Sequence, residues 1–409
     1  MQTRLPATVL ATDDGKRADE ILRACVHCGF CNATCPTYLL TGDELDGPRG
    51  RIYLVKEMLE ADTPTLVARD HLDRCLTCRA CETTCPSGVA YGELAEIGRN
   101  FIETRAIEGR ATGTEVRRGV FARFVRAWLV QVLPNPRQLA FFARLGRLAR
   151  WALPDYLARA VPQIRRPLSV AVKNHARRVV VLDGCVQRAT TPEVNAALAR
   201  VLDAADVKVV RASDEGCCGS LELHLGRHER AVATMRANVD ALYAVAAGAE
   251  AIVSTASGCG VTVKDYGRLL AHDPAYAERA RWISEHVFDA AEYLAKIGAP
   301  LKKDDSIGTV AWHPPCTLQH GQRVRGVVED LLQRAGYRLA PVANAHVCCG
   351  SAGTYSVLQH EMADRLRADK LAALTAGEPD VIATANVGCQ LHLRDGATVP
   401  VRHWLELLG

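Results

Sequence analysis

Short apolar runs and amphipathic stretches alternate through the second half of the chain. RVVVLDG (178–184) is a continuous apolar run bounded by glycine, as a buried strand requires. A helix is expected from Thr190, with Glu193 three residues on as its capping-box partner. VKVVRA (207–212) is the next strand and leads into GCCG. RHERAVATMRANVDALYAVAA (227–247) reads as helix, and AEAIVSTA (249–256) as a strand running into SGCG. The same order recurs as TVAW, a helix near 322–336, YRLAPVA, CCG, a helix near 361–375, and PDVIATAN before Gly388-Cys389. Strand and helix in alternation predict an α/β layer architecture.

The first half differs. RIYLVKEMLEA (51–61) and HLDRC (71–75) read as helices, and Gly47-Pro48-Arg49-Gly50-Arg51 is expected to cap the loop before them. In the middle, Phe121, Phe124, Val125, Trp128, Leu129 and Val132 share one helical face, with Arg123 and Arg126 opposite. FFARLGRLARWAL (141–153) continues in the same style, and Pro134, Pro136, Pro154, Pro162 and Pro167 break the segment into short helices. Residues 110–178 carry 14 Arg and one Lys against Glu115 and Asp155, a net +13, so the rest of the chain is about −9. An apolar stripe with arginines opposite is the pattern of a membrane-surface or partner-binding helix. The plain alternative is a solvated linker that neutralises acidic neighbours.

Composition narrows the class. The 409 residues, 48% hydrophobic, suit two or three folded domains and exclude a disordered tail protein. A net charge of +4 gives no argument for nucleic acid. Leu339–His360, the longest uncharged stretch, is interrupted by Pro341, Gly350 and Gly353 and cannot span a membrane. The opening MQTRLPATVLATDDGK has no apolar core of a signal peptide, so a reducing, cytoplasmic setting is expected. There, 16 Cys point to metal or redox chemistry rather than a disulfide framework.

The cysteines form two duplications. Cys25, Cys28, Cys31 and Cys35 (CVHCGFCNATCP) recur 50 residues later as Cys75, Cys78, Cys81 and Cys85 (CLTCRACETTCP). Cys185, Cys217, Cys218 and Cys259 recur as Cys316, Cys348, Cys349 and Cys389, at offsets of 131, 131, 131 and 130. The expected organisation is a two-cluster ferredoxin-like domain (1–108), a basic amphipathic helical linker (109–176), and two copies of a cysteine-rich domain (177–298 and 299–409). The fold class is thus α+β / α/β: a helical ferredoxin-like unit followed by a duplicated Rossmann-like α/β domain.

C-x2-C-x2-C-x3-C-P is the bacterial ferredoxin run, whose fourth Cys serves the other cluster. The expectation is one [4Fe–4S] cluster on Cys25, Cys28, Cys31 and Cys85 and a second on Cys75, Cys78, Cys81 and Cys35. Zinc sites pair two C-x2-C units and need no third Cys at that spacing. Arg49 and Arg51 either offset the anionic clusters or are plain surface charge. No G-x-G-x-x-G opens a βα unit, and neither a Walker A run nor G-x-S-x-G is present, so no flavin or nucleotide site is expected. Electrons must then come from a partner.

The second set of eight, Cys185, Cys217, Cys218, Cys259, Cys316, Cys348, Cys349 and Cys389, follows the carboxyl ends of three strands in each copy, where open α/β sheets place ligands. These are candidate further metal or redox sites: a cluster in each copy, a thiol/disulfide site on the vicinal pair, or inert buried cysteines. Gly219 and Gly350 are expected to admit a bulky ligand close to the backbone. His224, His228, His286, His313, His320 and His346 read as satisfied core or surface histidines, His313 alone flanking a strand end before a Cys.

ILRACVHCGFCNATCPTY, GDELDGPRGRIYL, HLDRCLTCRACETTCPSGV, TASGCG, CTLQH, CCGSAGTY and PVRHW together resemble the iron–sulfur subunits of membrane-linked dehydrogenases, nearest to those of glycolate oxidase. The resemblance covers nearly the whole chain apart from residues 1–18 and the middle segment. It implies an electron-transfer subunit of an oxidoreductase complex with no substrate site and no catalytic residue of its own. FAD-bearing partner subunits would oxidise glycolate to glyoxylate. This chain would pass the electrons toward a membrane quinone, peripheral on the cytoplasmic face of the inner membrane. The same role in a D-lactate or other 2-hydroxy acid dehydrogenase, or a thiol/disulfide reductase using the cysteine-rich domains, are the rival readings. Heterodisulfide reductase relatives carry a fifth Cys in such a domain; here Ala256, Thr262, Asn386 and His392 stand at the corresponding positions.

Overall fold

A helical amino-terminal half leads into two parallel four-stranded sheets in the computed structural model, which describes residues 1–107, 116–166, 170 and 173–408. The expected boundary between residues 108 and 109 falls outside the described residues. The amino-terminal unit is built from the helices Asp13–Ala24, Pro48–Glu60, Leu66–Asp73 and Tyr91–Ile107 around a core that includes Leu22, Val55, Met58, Leu72 and Leu94. Each Cys run begins where a helix ends: Cys25 follows Asp13–Ala24, and Cys75 follows Leu66–Asp73.

The first sheet contains β1 (Arg177–Val181), β2 (Val207–Val210), β3 (Ile252–Ser254) and β4 (Val287–Asp289), in the order β2-β1-β3-β4. The second contains β5 (Thr309–His313), β6 (Arg338–Ala340), β7 (Val381–Thr384) and β8 (Val401–His403), in the order β6-β5-β7-β8. Every pairing in both sheets is parallel. Helices cover them, which is why Val179, Val180 and Val181 form an uninterrupted buried run rather than an alternating one. The strand order reverses beside β1 and β5, and the cysteines sit past the carboxyl ends there. The architecture is a helical unit followed by a duplicated α/β domain.

The two copies share one core. Val179, Leu198 and Leu294 of the first pack in the same cluster as Val310, Leu331 and Trp404 of the second. Across the joint, Ser257 N donates to Ala385 O (3.1 Å), and His403 Nε2 lies 2.9 Å from Thr255 O.

Several local expectations need correction. Thr190 ends a short helix (Cys185–Thr190), and the next begins at Pro192, whose missing N–H costs nothing at a helix start. Thr191 makes no side-chain cap there, and Glu193 instead pairs with Arg165 (2.7 Å). Pro48 likewise starts a helix, so Arg49 and Arg51 lie in its first turn and not in a capping loop. The helix near 322–336 is shorter, Val327–Arg334, because a π-turn (Thr317–Gly321) and left-handed Arg323 and Gly326 precede it.

The middle segment forms the helices Val120–Val132 and Pro136–Leu148. Arg126 does not face solvent opposite the apolar stripe. It turns inward, buried, to pair with Asp73 (2.8 Å), while Phe121 and Phe124 of the stripe are exposed. Phe141, Leu148 and Trp151 extend that exposed apolar face. Among the described residues no helix is long and apolar enough to cross a membrane.

Candidate metal centres

The two Cys runs bend alike. His27 and Gly29 in the first, and Thr77 and Arg79 in the second, adopt positive φ at matching positions. A β-branched residue such as Thr77 (φ 53°) enters that region only when its surroundings hold it there. The curl keeps three thiols of each run on one side, and Thr77 N donates to Cys75 Sγ (3.4 Å).

The thiols sort into two groups that cross between runs. Cys25, Cys28, Cys31 and Cys85 lie close enough to feel one another's charge, and all four border one groove, which Cys81 also reaches. Cys75, Cys78, Cys81 and Cys35 form the other, largely buried group. Four convergent thiols with a backbone donor to sulfur fit a thiolate-held cluster. Burial pushes Cys31 up to about 11, with Cys25 adding to it, and burial raises Cys78 and Cys81 as well. Thiols so reluctant to ionise alone need a cation to become ligands.

Cys75 is the exception. Burial pushes its thiol up, but Arg51, Arg99 and the Tyr91 hydroxyl (3.5 Å) overcome it, and the net direction is down. Arg51 is 1% exposed and reaches Thr37 Oγ1 (3.1 Å), His71 O (2.7 Å) and Cys35 Sγ (3.9 Å). Surface charge is therefore the wrong account of Arg51. It suits Arg49 better, half-exposed and paired with Glu44 (2.6 Å). Arg99 donates to Cys75 O (2.7 Å) and Thr77 Oγ1 (2.9 Å), holding the second run in its bend. Nothing in the linear spacing flags Arg99; only the chain's return through Tyr91–Ile107 places it there.

In each α/β copy the four thiols also converge. Cys185 Sγ lies 3.7 Å from Cys217 Sγ, and Cys218 bridges from Cys217 to Cys259. The second copy repeats this with Cys316 and Cys348 at 3.8 Å, and Cys349 between Cys348 and Cys389. Gly219 and Gly350 are left-handed (φ 84° and 91°), but the atoms a Cβ would strike belong to the following helices, Met235 Cγ and Ala363 O. They serve close helix packing rather than room for a ligand. The copies differ in setting. Cys185 and Cys217 border a 570 Å³ cavity. Cys316 and Cys348 are buried against Leu76 and Cys78 of the amino-terminal unit.

The histidines divide. His320 is satisfied by Thr83 Oγ1 (2.9 Å) and His346 O (3.1 Å), and His286 stacks on Trp282. Two do not fit the satisfied class: the buried Nδ1 of His224 lacks a partner, and His313, 1% exposed, lacks one at both ring nitrogens.

Comparison with known proteins agrees with this layout. A 4Fe-4S dicluster domain model matches residues 21–89, and a cysteine-rich (CCG) domain model matches twice, at 179–264 and 310–394. The chain is thus an iron–sulfur electron-transfer protein with a dicluster unit and paired cysteine-rich domains. It is 46% identical to the glycolate oxidase iron–sulfur subunit of Escherichia coli over all of this chain and 98% of that protein. A Bacillus subtilis protein named "Probable glycolate oxidase iron-sulfur subunit" is 30% identical over 96% of this chain and 95% of its own length. Lactate utilization protein A of Shouchella clausii is 26% identical over 55% of this chain. The chain belongs to the family of glycolate oxidase iron–sulfur subunits.

Proposed function

We propose that this chain is the electron-transfer subunit of a flavin-dependent complex that oxidises glycolate to glyoxylate. In this reading Cys25, Cys28, Cys31 and Cys85 ligate one [4Fe–4S] cluster, and Cys75, Cys78, Cys81 and Cys35 the other. When bound, each cluster supplies a one-electron carrier. The protein's part is to hold the two thiol groups at a fixed separation and to supply Arg51 and Arg99 as buried counter-charge. The single observation behind the assignment is the crossing of the fourth cysteines, Cys35 and Cys85, into the opposite groups.

FAD belongs to partner subunits, and the electrons leave toward a membrane quinone. The exposed Phe121, Phe124, Phe141, Leu148 and Trp151 support peripheral attachment at the cytoplasmic face of the inner membrane. A 2-hydroxy acid such as D-lactate is the second reading for the complex, favoured by the likeness to lactate utilization protein A.

Replacing Cys28 with Ser in the assembled complex tests the relay. Glycolate-dependent reduction of a dye or quinone should fall to background while the flavin subunit remains folded and reducible by substrate. Full retained activity would overturn the proposal. D-lactate in place of glycolate decides between the two substrates.

A further inference from the structure

We propose that the second cysteine-rich copy holds an iron centre with His313 as a ligand beside Cys349 and Cys389, so that the two copies carry chemically different centres.

His313 ends β5, three residues before Cys316, and is fully enclosed. Neither ring nitrogen has a hydrogen-bond partner, a state that a buried polar group holds only at a cost. A ligand atom of His313, the Cys349 thiol and the Cys389 thiol all lie within 4.8 Å of one another. That is the spacing of donors around one metal ion, and a bound metal would resolve the orphaned ring. His392, three residues after Cys389, is the other histidine at hand, but its Nε2 is turned to Ala363 O (3.3 Å).

The first copy has no histidine at the matching position; its own unpartnered histidine, His224, ends the helix after Cys217 and Cys218 and is not grouped with its thiols. The offset of 131 that relates Cys185 to Cys316 places Leu182 opposite His313, and Leu182 packs in the apolar cluster around Cys217 and Cys218. A second position differs in the same sense. Lys370 is 3% exposed and donates from Nζ to Asn344 O (2.8 Å), within electrostatic reach of all four thiols of its copy. In the first copy Asn238 plays the corresponding part on its helix, accepting from Gly216 N and donating to Tyr266 Oη. The second site therefore gains one neutral nitrogen donor and one buried cation. Lys370 offsets part of the negative charge that the thiolates carry, and an imidazole that takes the place of a thiolate on iron lowers that charge and raises the potential of an iron–sulfur centre.

Iron is favoured over zinc by position. Cys316 adjoins Cys78, a member of the second amino-terminal thiol group. A redox-silent ion there would leave that contact without an electron-transfer role. This step rests on the relay reading given above.

Pulsed EPR of the anaerobically prepared full chain, with histidine labelled by ¹⁴N or ¹⁵N, tests it. A strongly coupled histidine nitrogen is expected. It should vanish in His313→Ala and His313→Cys, with iron retained in His313→Cys. Zinc in place of iron, no coupled nitrogen in the unsubstituted chain, or a coupling that survives His313→Ala would overturn the inference. The isotope exchange needs no variant to fold. Amino-terminal cluster signals that are present without the coupling sink this inference alone; their absence sinks the relay reading.

Discussion

In the first cysteine-rich copy, Cys185 and Cys217 border a cavity of 570 Å³. In the second, their counterparts Cys316 and Cys348 are closed over by Leu76, Cys78 and Tyr355. Strand order and the chain of four thiols are the same in both. The side chains around those thiols are not: Leu182 stands against His313, and Asn238 against Lys370. A duplicated scaffold fixes where the sulfurs converge, while the shell sets what they meet. One copy faces outward onto a cavity lined by charges of both signs, among them Arg188, Arg230, Asp183 and Glu215. The other faces the amino-terminal thiols and carries nitrogen and positive charge.

Thiol access should separate the copies most. In the metal-free chain both thiols are pushed far up: Cys185 chiefly by its hydrogen bond to Cys217, with burial adding; Cys349, although its hydrogen bond to Cys348 pulls it down, by its bond to Cys389 and by burial, so access decides which one reacts. Cys185 is partly exposed, whereas Cys349 is 0% exposed. Peptide mapping after timed maleimide treatment should find Cys349 on the order of a thousandfold slower, equivalent to a local opening of about 4 kcal/mol. Equal rates would dissolve the distinction between an open and a closed copy.

A second contrast lies at the far strand of each sheet. Asp289, the last residue of β4, and His403, the last of β8, both cap the next helical turn, each in a capping box, with Glu292 and Glu406. Burial pushes the Asp289 carboxyl from 3.8 up to about 7, with Glu292 adding to it. Its contribution is present below the ordinary carboxylate pKa and is lost as pH rises through about 7. Burial lowers His403 from 6.5 to about 4, and its Nδ1 accepts from Leu405 N as a neutral ring must. That contribution is present above 6.5 and is lost as pH falls through about 4. Thermal unfolding across this range should show two opposed slopes, each on the order of 3 kcal/mol. Asp289→Asn should flatten the alkaline one and His403→Gln the acid one. A slope that survives its substitution would remove that half of the contrast.

These differences explain what the linear pattern reveals and what it hides. Both Cys duplications, the α/β alternation and the strand-end placement of the thiols are legible because they follow from spacing and period. The strands Val287–Asp289 and Val401–His403 are not, since each is three residues long and, unlike Ile252–Ser254, lies in no longer apolar run leading into a Cys. Arg126 reads as outward because the apolar residues on its helix are mistaken for the buried face; the attraction of Asp73 turns it inward. His313 reads as a satisfied core histidine because its neighbours Cys349, in a loop, and Cys389, in the first turn of the helix Val387–Arg394, are 36 and 76 residues away. Partnership across such distances leaves no local mark.

The smallest effect we expect comes from carrying one residue between copies. Leu182→His sets an imidazole where the second copy has one, among Cys217 and Cys218. In the metal-free chain it should cost about 1–3 kcal/mol, because a buried ring loses water and finds no partner. Thermal unfolding of the metal-free chain would read that loss. With iron and sulfide supplied, the loss should be recovered and a second coupled histidine nitrogen should appear beside that of His313. Full recovery requires that the first copy differ from the second mainly by this missing donor. A loss that iron leaves in place would mean that the neutral Asn238, or the open cavity, also keeps the first copy from a mixed nitrogen and sulfur site. Adding Asn238→Lys to Leu182→His then separates those two causes: restored coupling in the double variant assigns the remainder to charge, and continued absence assigns it to exposure.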